Sequence, residues 1–458
     1  MSTNDYQNDA QDYNRRDFLK GGSLATLMTM LGGVEVLAQT NAPAGTPSKE
    51  FKPPVKVAVI GLGAWGRTIL DTLARNEQAV VEAICDNYPA FLRRAASLAP
   101  KATQTADYKT ILANPEIKGV IIATATHQHK EIVLAALKAG KHVYCEAPIA
   151  HTMDDAREIA LAAKALSKVQ IFQGGYQLRA DPQRLFLLPF IRSGQLGNGV
   201  MARAQWHKKT SWRAASPNPE REKAMNWRLY KTTSIGLLGE IGSHQIDEVG
   251  WFLNAHPKAV TGFSSLTLWN QDKGDDRDVP DTVQAVVEYP NGVNLIYQAT
   301  LANSFDGAYE MLYGSGAAIM LREDKAWMFK EVDAPLFGWE VYCGKENFYK
   351  ETGIVLKADA SKSAQSTAEP TPDEVIKSSP LYAALGTFLW NTYDLSEKAA
   401  NLKEQFGEVD AEEMAKVVRR PASGFQESYQ ATVTGIIANE AAVGGKRIEF
   451  KPEWLELK

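Results

Sequence analysis

A short apolar run, Lys56-Val-Ala-Val-Ile60, leads directly into Gly61-Leu-Gly63-Ala-Trp-Gly66, after which Ile69, Leu70 and Leu73 recur at helical spacing. Strand, glycine-rich turn and helix in that order leave few folds open. The first glycine permits the tight turn, the second lets a pyrophosphate approach the backbone, and the third lets the helix pack on the strand with its N-terminus facing the anion. A second apolar run, Ala79 to Cys85, ends in Asp86. A carboxylate there can accept hydrogen bonds from the adenosine ribose hydroxyls and repels a 2'-phosphate, so NAD is expected rather than NADP. Gly61, Gly63, Trp65, Gly66 and Asp86 are the cofactor residues expected in this part of the chain.

Helix and strand signals keep alternating downstream. Helices are predicted near Pro89 to Leu98, Tyr108 to Ala113 and Lys130 to Lys138, and strands over Gly119 to Thr124 and His142 to Cys145. Alternation of this kind predicts an α/β domain with a doubly wound parallel sheet, here residues 54–175. Ligands of such sheets lie beyond the carboxyl ends of the strands, an edge reached by Thr124-Ala-Thr-His127-Gln-His129 and by Cys145-Glu146-Ala147-Pro148. Thr124, His127 and Glu146 are therefore placed beside the cofactor, and His129 at a helix start. The two histidines have no third ligand near them, so no metal site is expected. A strand predicted over Val169 to Phe172 puts Tyr176 on the same edge.

Beyond Arg179 the chain grows richer in aromatic and polar side chains: Trp206-His-Lys, Ser211-Trp-Arg213, Asn226-Trp-Arg228. Flat indole faces beside Arg and Asn donors suit a pyranose ring and its hydroxyls, although tryptophan is equally a core residue. Alternating strand patterns appear over Val260 to Leu268, Thr282 to Tyr289, Val293 to Thr300 and Met311 to Tyr313, with a hairpin turn at Pro290-Asn-Gly292. They predict an antiparallel sheet in a second α/β domain, residues 176–458. Residues 358–374 are polar and of low complexity, an exposed loop, and helices near Leu381 to Leu395 and Tyr429 to Val443 close the domain.

These motifs, with Gly175-Tyr-Gln-Leu-Arg179, Gly236-Leu-Leu-Gly-Glu-Ile-Gly-Ser-His-Gln-Ile-Asp247 and the terminal Ala-Asn-Glu-Ala-Ala-Val-Gly-Gly-Lys-Arg-Ile, resemble the Gfo/Idh/MocA family of nicotinamide-dependent sugar and cyclitol oxidoreductases. The resemblance covers nearly all of residues 55 to 458. It implies a Rossmann domain followed by an α/β domain whose largely antiparallel sheet often forms a dimer interface, hence a homo-oligomer. Family members commonly carry Glu-Lys-Pro where this chain has Glu146-Ala147-Pro148, and that lysine normally polarises or deprotonates the reacting hydroxyl. Alanine has no proton to move. The family's catalytic histidine corresponds to His244, with Glu240 one turn earlier where Asp is usual; on a regular helix the pair shares a face, and the carboxylate would orient the imidazole. Tyr176 is the other candidate, because related NAD-dependent glycosidases also lack the lysine and use a tyrosine and a histidine. The catalytic set expected is His244, Tyr176, Glu240 and Glu146.

Residues 14 to 20 read Asn-Arg-Arg-Asp-Phe-Leu-Lys and precede an apolar, glycine-punctuated stretch ending near Val-Leu-Ala38. The pattern looks like a twin-arginine export signal, too short at about 14 apolar residues to span a bilayer. Residues 1–53 are assigned to this signal and a proline-broken tether, so the twin-arginine machinery is an expected partner and the periplasm the expected location. With 50 basic against 54 acidic side chains and no basic block, nucleic acid is not an expected partner. Cys85, Cys145 and Cys343 are far apart and read as small buried hydrophobes. The function expected is an exported oxidoreductase with tightly bound NAD acting on a ring hydroxyl of a sugar or glycoside. Two alternatives stay open: a redox-neutral glycosidase working through transient oxidation at carbon 3, and a silent carbohydrate-binding member of the fold.

Overall fold

The structure is a computed structural model describing residues 52–458 apart from 217, 271, 273, 337–339, 341–342, 349–350 and 357–370. The expected export signal and almost all of the polar loop expected at 358–374 lie outside the described residues.

Strands β1 (Val55–Ile60), β2 (Ala79–Cys85), β3 (Thr103–Thr105), β4 (Gly119–Ile122), β5 (His142–Cys145) and β6 (Phe172–Gly174) form one sheet in the order β3-β2-β1-β4-β5-β6. Every pairing in it is parallel. Its central strands are apolar at consecutive positions because both faces are covered. Ala58, Ile60, Val120 and Val143 pack toward helices 129–138 and 153–166. Val57, Val59, Ile121 and Tyr144 face Leu385, Phe388 and Leu389 of the helix Pro380–Phe406. Each such Val, Ile or Leu contributes roughly 1.5–3 kcal/mol on burial. The helix 380–406, which the sequence places with the second domain, thus completes the core of the first: the Phe388 ring lies 5.8 Å from that of Tyr144. Strand β6 is shorter and later than expected, which leaves Tyr176 just past its carboxyl end.

The second sheet has ten strands: β7 (Gly199–His207), β8 (Ala259–Ser265), β9 (Thr282–Glu288), β10 (Asn294–Thr300), β11 (Ala308–Gly314), β12 (Ala317–Arg322), β13 (Lys325–Lys330), β14 (Lys345–Phe348), β15 (Glu351–Leu356) and β16 (Arg447–Glu449). Their order is β14-β15-β13-β12-β11-β7-β10-β9-β8-β16, antiparallel throughout except between β7 and β10. The expected hairpin joins β9 to β10: Gly292 takes φ 84° and donates to the Tyr289 carbonyl at 3.1 Å. Helices Ser243–Leu253 and Phe425–Gly444 cover the inner face, where Ala285, Val287, Leu295 and Tyr297 are buried. Phe263, Val286 and Ile296 stand exposed on the strands. No helix of the described residues is long and apolar enough to cross a membrane.

Candidate active site

The glycine turn sits where β1 ends. Gly61 has φ 95°, and a Cβ added there would lie 2.6 Å from the Ala123 carbonyl carbon, while one on Gly66 would lie 1.9 Å from the Gly61 oxygen. Both positions thus require the absence of a side chain. Gly63 has open space within 4 Å of its would-be Cβ, a cradle that backbone donors can offer to a phosphate. Asp86, at the end of β2, accepts from the Leu62 amide at 2.8 Å and the Tyr88 amide at 2.7 Å. Burial raises its carboxyl, against those two donors and the charges of Arg221 and Arg67.

Glu146 follows β5 and is almost fully buried at 7% exposure. Its Oε1 has no hydrogen-bond partner, nor has Thr124 Oγ1 at the end of β4. Burial pushes the Glu146 carboxyl up to about 7, against the pull of the Trp65 indole, the Ala147 amide, Tyr144 and Arg228. Orphaned buried polar atoms are uncommon, and two at this edge fit a polar ligand between the strand ends. Together with the open glycine turn and Asp86, they suit a dinucleotide running from β2 to β5. Gly175 keeps the room: a Cβ there would meet Glu146 Oε2 at 2.6 Å and the Ala147 amide nitrogen at 2.7 Å.

Beyond Gly175, Tyr176 is 2% exposed, and its hydroxyl shares a 3.0 Å hydrogen bond with Thr432. Thr432 in turn accepts from the Ile149 amide at 3.1 Å, which ties the helix 425–444 to the Glu146 loop. Burial raises the Tyr176 phenol, with Thr432 and Ser243 opposing, so it keeps its proton. The Tyr176 and His244 rings lie 5.1 Å apart between centroids. Burial pushes the His244 imidazole down to about 4, with Asp247 opposing. At neutral pH it is an uncharged proton acceptor.

The structure corrects the expected role of Glu240. Residues Leu238–Gly242 form a π turn before the helix 243–253 begins. The wider turn takes residues four apart off a common face. The Glu240 carboxylate accepts instead from Thr126 Oγ1 at 3.1 Å, Ser234 Oγ at 3.1 Å and the Ile235 amide at 3.2 Å. It joins the two domains, and does not orient His244. The carboxylate nearer in effect is Asp247, itself bound by both arms of Arg179 at 2.8 Å.

Of the two histidines after β4, His129 is buried with Nδ1 3.0 Å from the Pro148 oxygen and Nε2 3.1 Å from the Thr124 oxygen. It staples the two loops that carry Thr124 and Glu146. His127 points elsewhere: its ring is 6.4 Å from that of Trp227, and its buried Nδ1 has no partner. Cys85 and Cys145 are buried as expected, and Cys343 is half-buried.

Residues 55–174 match the family described as "Oxidoreductase family, NAD-binding Rossmann fold", and residues 189–319 match the GFO/IDH/MocA C-terminal domain. The chain belongs to the Gfo/Idh/MocA oxidoreductase family. Its first domain is accordingly an NAD-binding Rossmann domain. It is 29% identical over 238 residues to the levoglucosan dehydrogenase of Pseudarthrobacter phenanthrenivorans, covering 48% of this chain and 59% of that protein. It is also 28% identical over 250 residues to the inositol 2-dehydrogenase of Salmonella typhimurium, covering 53% and 66%. The matches thus span less than two thirds of those relatives' length. In fold, a levoglucosan dehydrogenase solved with NADH and L-sorbose superposes with a TM-score of 0.64 at 20% identity, over 87% of this chain and 100% of that one. An oxidoreductase domain protein from Kribbella flavida gives 0.65 at 17%, with the same coverage.

Three residues of the site escaped the sequence reading. Thr432 is 256 positions from the tyrosine it binds. Thr126 hides between two more conspicuous neighbours. Arg221 reaches from the second domain to the Asn87 side chain at 3.2 Å and stacks 4.8 Å over Tyr88, beside Asp86. None has a local sequence signal, because each acts through a contact that only the folded chain creates.

Proposed function

We propose that the chain is an exported oxidoreductase that holds NAD tightly and oxidises a ring hydroxyl of a sugar or glycoside. The observation that carries this reading is the neutral His244 against Tyr176, beside Gly175 and Glu146 at the strand edge where a dinucleotide fits. When bound, NAD supplies a hydride acceptor. Gly61 to Gly66 and Asp86 hold it, while Thr124 and Glu146 offer partners at the reacting end. His244 takes the hydroxyl proton as the carbon gives up its hydride, so that the C–OH becomes a carbonyl. Tyr176, which stays protonated, packs its ring beside the imidazole and can donate to the substrate oxygen. Ala147 provides no ammonium for this work. The names of the relatives, a levoglucosan and an inositol dehydrogenase, favour a carbohydrate or cyclitol as substrate. Export rests on Arg15-Arg16 and the apolar run behind them. Homo-oligomerisation through the second sheet is favoured by the exposed Phe263, Val286 and Ile296.

A redox-neutral glycosidase is the second reading, favoured by two adjacent proton-handling groups, Tyr176 and His244, in the absence of a lysine. His244→Ala tests the shared core of both. Turnover is expected to fall by roughly 10²–10⁴ with NAD binding retained. Near-normal turnover moves the proton to another group. A wild-type protein that binds sugars yet never reduces its nucleotide points to a silent binding protein.

A further inference from the structure

Four side chains near Asp86, drawn from both domains, form one continuous stack. The Arg221 guanidinium lies 4.8 Å from the centre of the Tyr88 ring, Tyr88 meets Phe91 edge to face at 5.0 Å, and the Arg67 guanidinium lies 5.6 Å from the centre of the Phe91 ring. Arg221 also holds the loop directly: one arm donates to the Asn87 side chain at 3.2 Å and the other to the Asn87 carbonyl at 3.1 Å. At the opposite end Arg67 donates to the Leu62 carbonyl of the glycine turn at 2.9 Å. The stack therefore runs from the second domain to the glycine turn across residues 86–91. Tyr88 is tied to Asp86 as well. Its amide donates to one carboxylate oxygen at 2.7 Å, while the Leu62 amide donates to the other at 2.8 Å. Whatever holds Tyr88 in place holds the carboxylate too.

Arg221 can do this only if its own helix, Pro219–Met225, is braced, because seven residues are too few to persist as a helix unsupported. The brace is present. Glu222 accepts from Arg213 at 3.0 Å and from the Asn226 side chain at 3.0 Å, and Arg213 grips Asp275 with both arms at 3.2 and 2.8 Å. Asn226, 1% exposed, exchanges hydrogen bonds with the Ala214 backbone at 2.7 and 3.0 Å. The charges of Arg221 and Arg67 also favour the ionised form of Asp86, the form that accepts from ribose hydroxyls. A loop already held in this way loses little freedom when a ribose binds, and the ribose cannot be released by the loop swinging aside. We infer that Arg221 is a positioning residue which pins the loop from Asp86 to Phe91 to the second domain, and that this tie sets how slowly the dinucleotide leaves.

The inference rests on the tightly bound NAD proposed above and names what retains it. Its test is the exchange rate of bound nucleotide: protein equilibrated with NAD carrying a heavy-isotope adenine is passed into excess ordinary NAD, and the mass of the nucleotide still bound is followed over time. Arg221→Ala and Tyr88→Leu should each speed exchange by about tenfold or more, and Tyr88→Phe, which keeps the ring, should stay near the wild-type rate. The two effects should not add, so the double variant should exchange no faster than the faster single one. Asn87 is exposed, so Arg221→Ala strands no buried partner and keeps the fold. Unchanged exchange in Arg221→Ala, additive effects, or a wild type that exchanges as fast as the variants overturns the tie while leaving NAD as the cofactor. A wild type that binds no labelled NAD defeats the dinucleotide reading itself, and the tie with it.

Discussion

Replacing Glu146 with glutamine keeps the shape of the side chain and removes its ionisation. In the wild type, burial holds this carboxyl at about 7 instead of the ordinary 4.5. Keeping such a group ionised inside the folded protein costs roughly 3 kcal/mol, at about 1.4 kcal/mol per pH unit. The folded chain binds this proton more tightly than the unfolded chain does, so between about pH 4.5 and 7 the native state carries the extra proton. Stability from this group therefore falls as pH rises through that window, and is lowest above it. Glutamine loses no proton and escapes the penalty. Glu146→Gln should match the wild type near pH 5 and exceed it by up to about 3 kcal/mol near pH 8, a thermal shift of several degrees. Thermal unfolding of both proteins across that range, without added nucleotide, reads the difference. A difference that does not change with pH would refute the buried, strained carboxylate. So would a variant less stable than wild type at high pH.

Asp86→Ala removes the proposed ribose partner and the acceptor of two backbone amides. NAD affinity should fall roughly tenfold or more, with a narrower preference over NADP, measured by titration of both nucleotides; unchanged affinities would take Asp86 out of the site. Gly61→Ala forces a side chain into a left-handed residue and against the Ala123 carbonyl. It should cost about 1–3 kcal/mol in denaturant unfolding and abolish NAD binding, and full binding would show that the turn is looser than its geometry.

The first sheet was legible because parallel strands buried on both faces are written as unbroken apolar runs. His142 to Cys145 emerged at its observed limits, and β1 with its glycine turn within a residue. Much of the second sheet was not. Strand β7, Gly-Val-Met-Ala-Arg-Ala-Gln-Trp-His, looks unremarkable in sequence, yet it is the central strand between β10 and β11; it buries only Ala202 and Ala204 as apolar side chains because helix and sheet approach closely there. Strands β12 to β15 and the three-residue β16 were missed altogether. In the site, Glu146 and Tyr176 were placed from motifs at strand ends, and His244 from the motif Gly236 to Asp247 that carries the family resemblance. The reach of Glu240 could not, since spacing by fours assumes a regular helix and a π turn breaks that rule.

The central claim is a resident cofactor in an exported enzyme. Twin-arginine transport carries folded proteins, and free dinucleotide is scarce outside the cytoplasm, so under the proposed export the NAD would have to travel with the chain. Arg221, anchored on Asn87 and Tyr88, lies across the adenosine end of the expected site. The most direct measurement is the absorbance and mass of the nucleotide released by denaturing protein that was purified and extensively dialysed without added cofactor. Near-stoichiometric NAD or NADH is the predicted result. A stable, cleanly empty protein that releases free NADH stoichiometrically from a sugar would contradict it, and would make the chain an ordinary dehydrogenase with exchangeable cofactor.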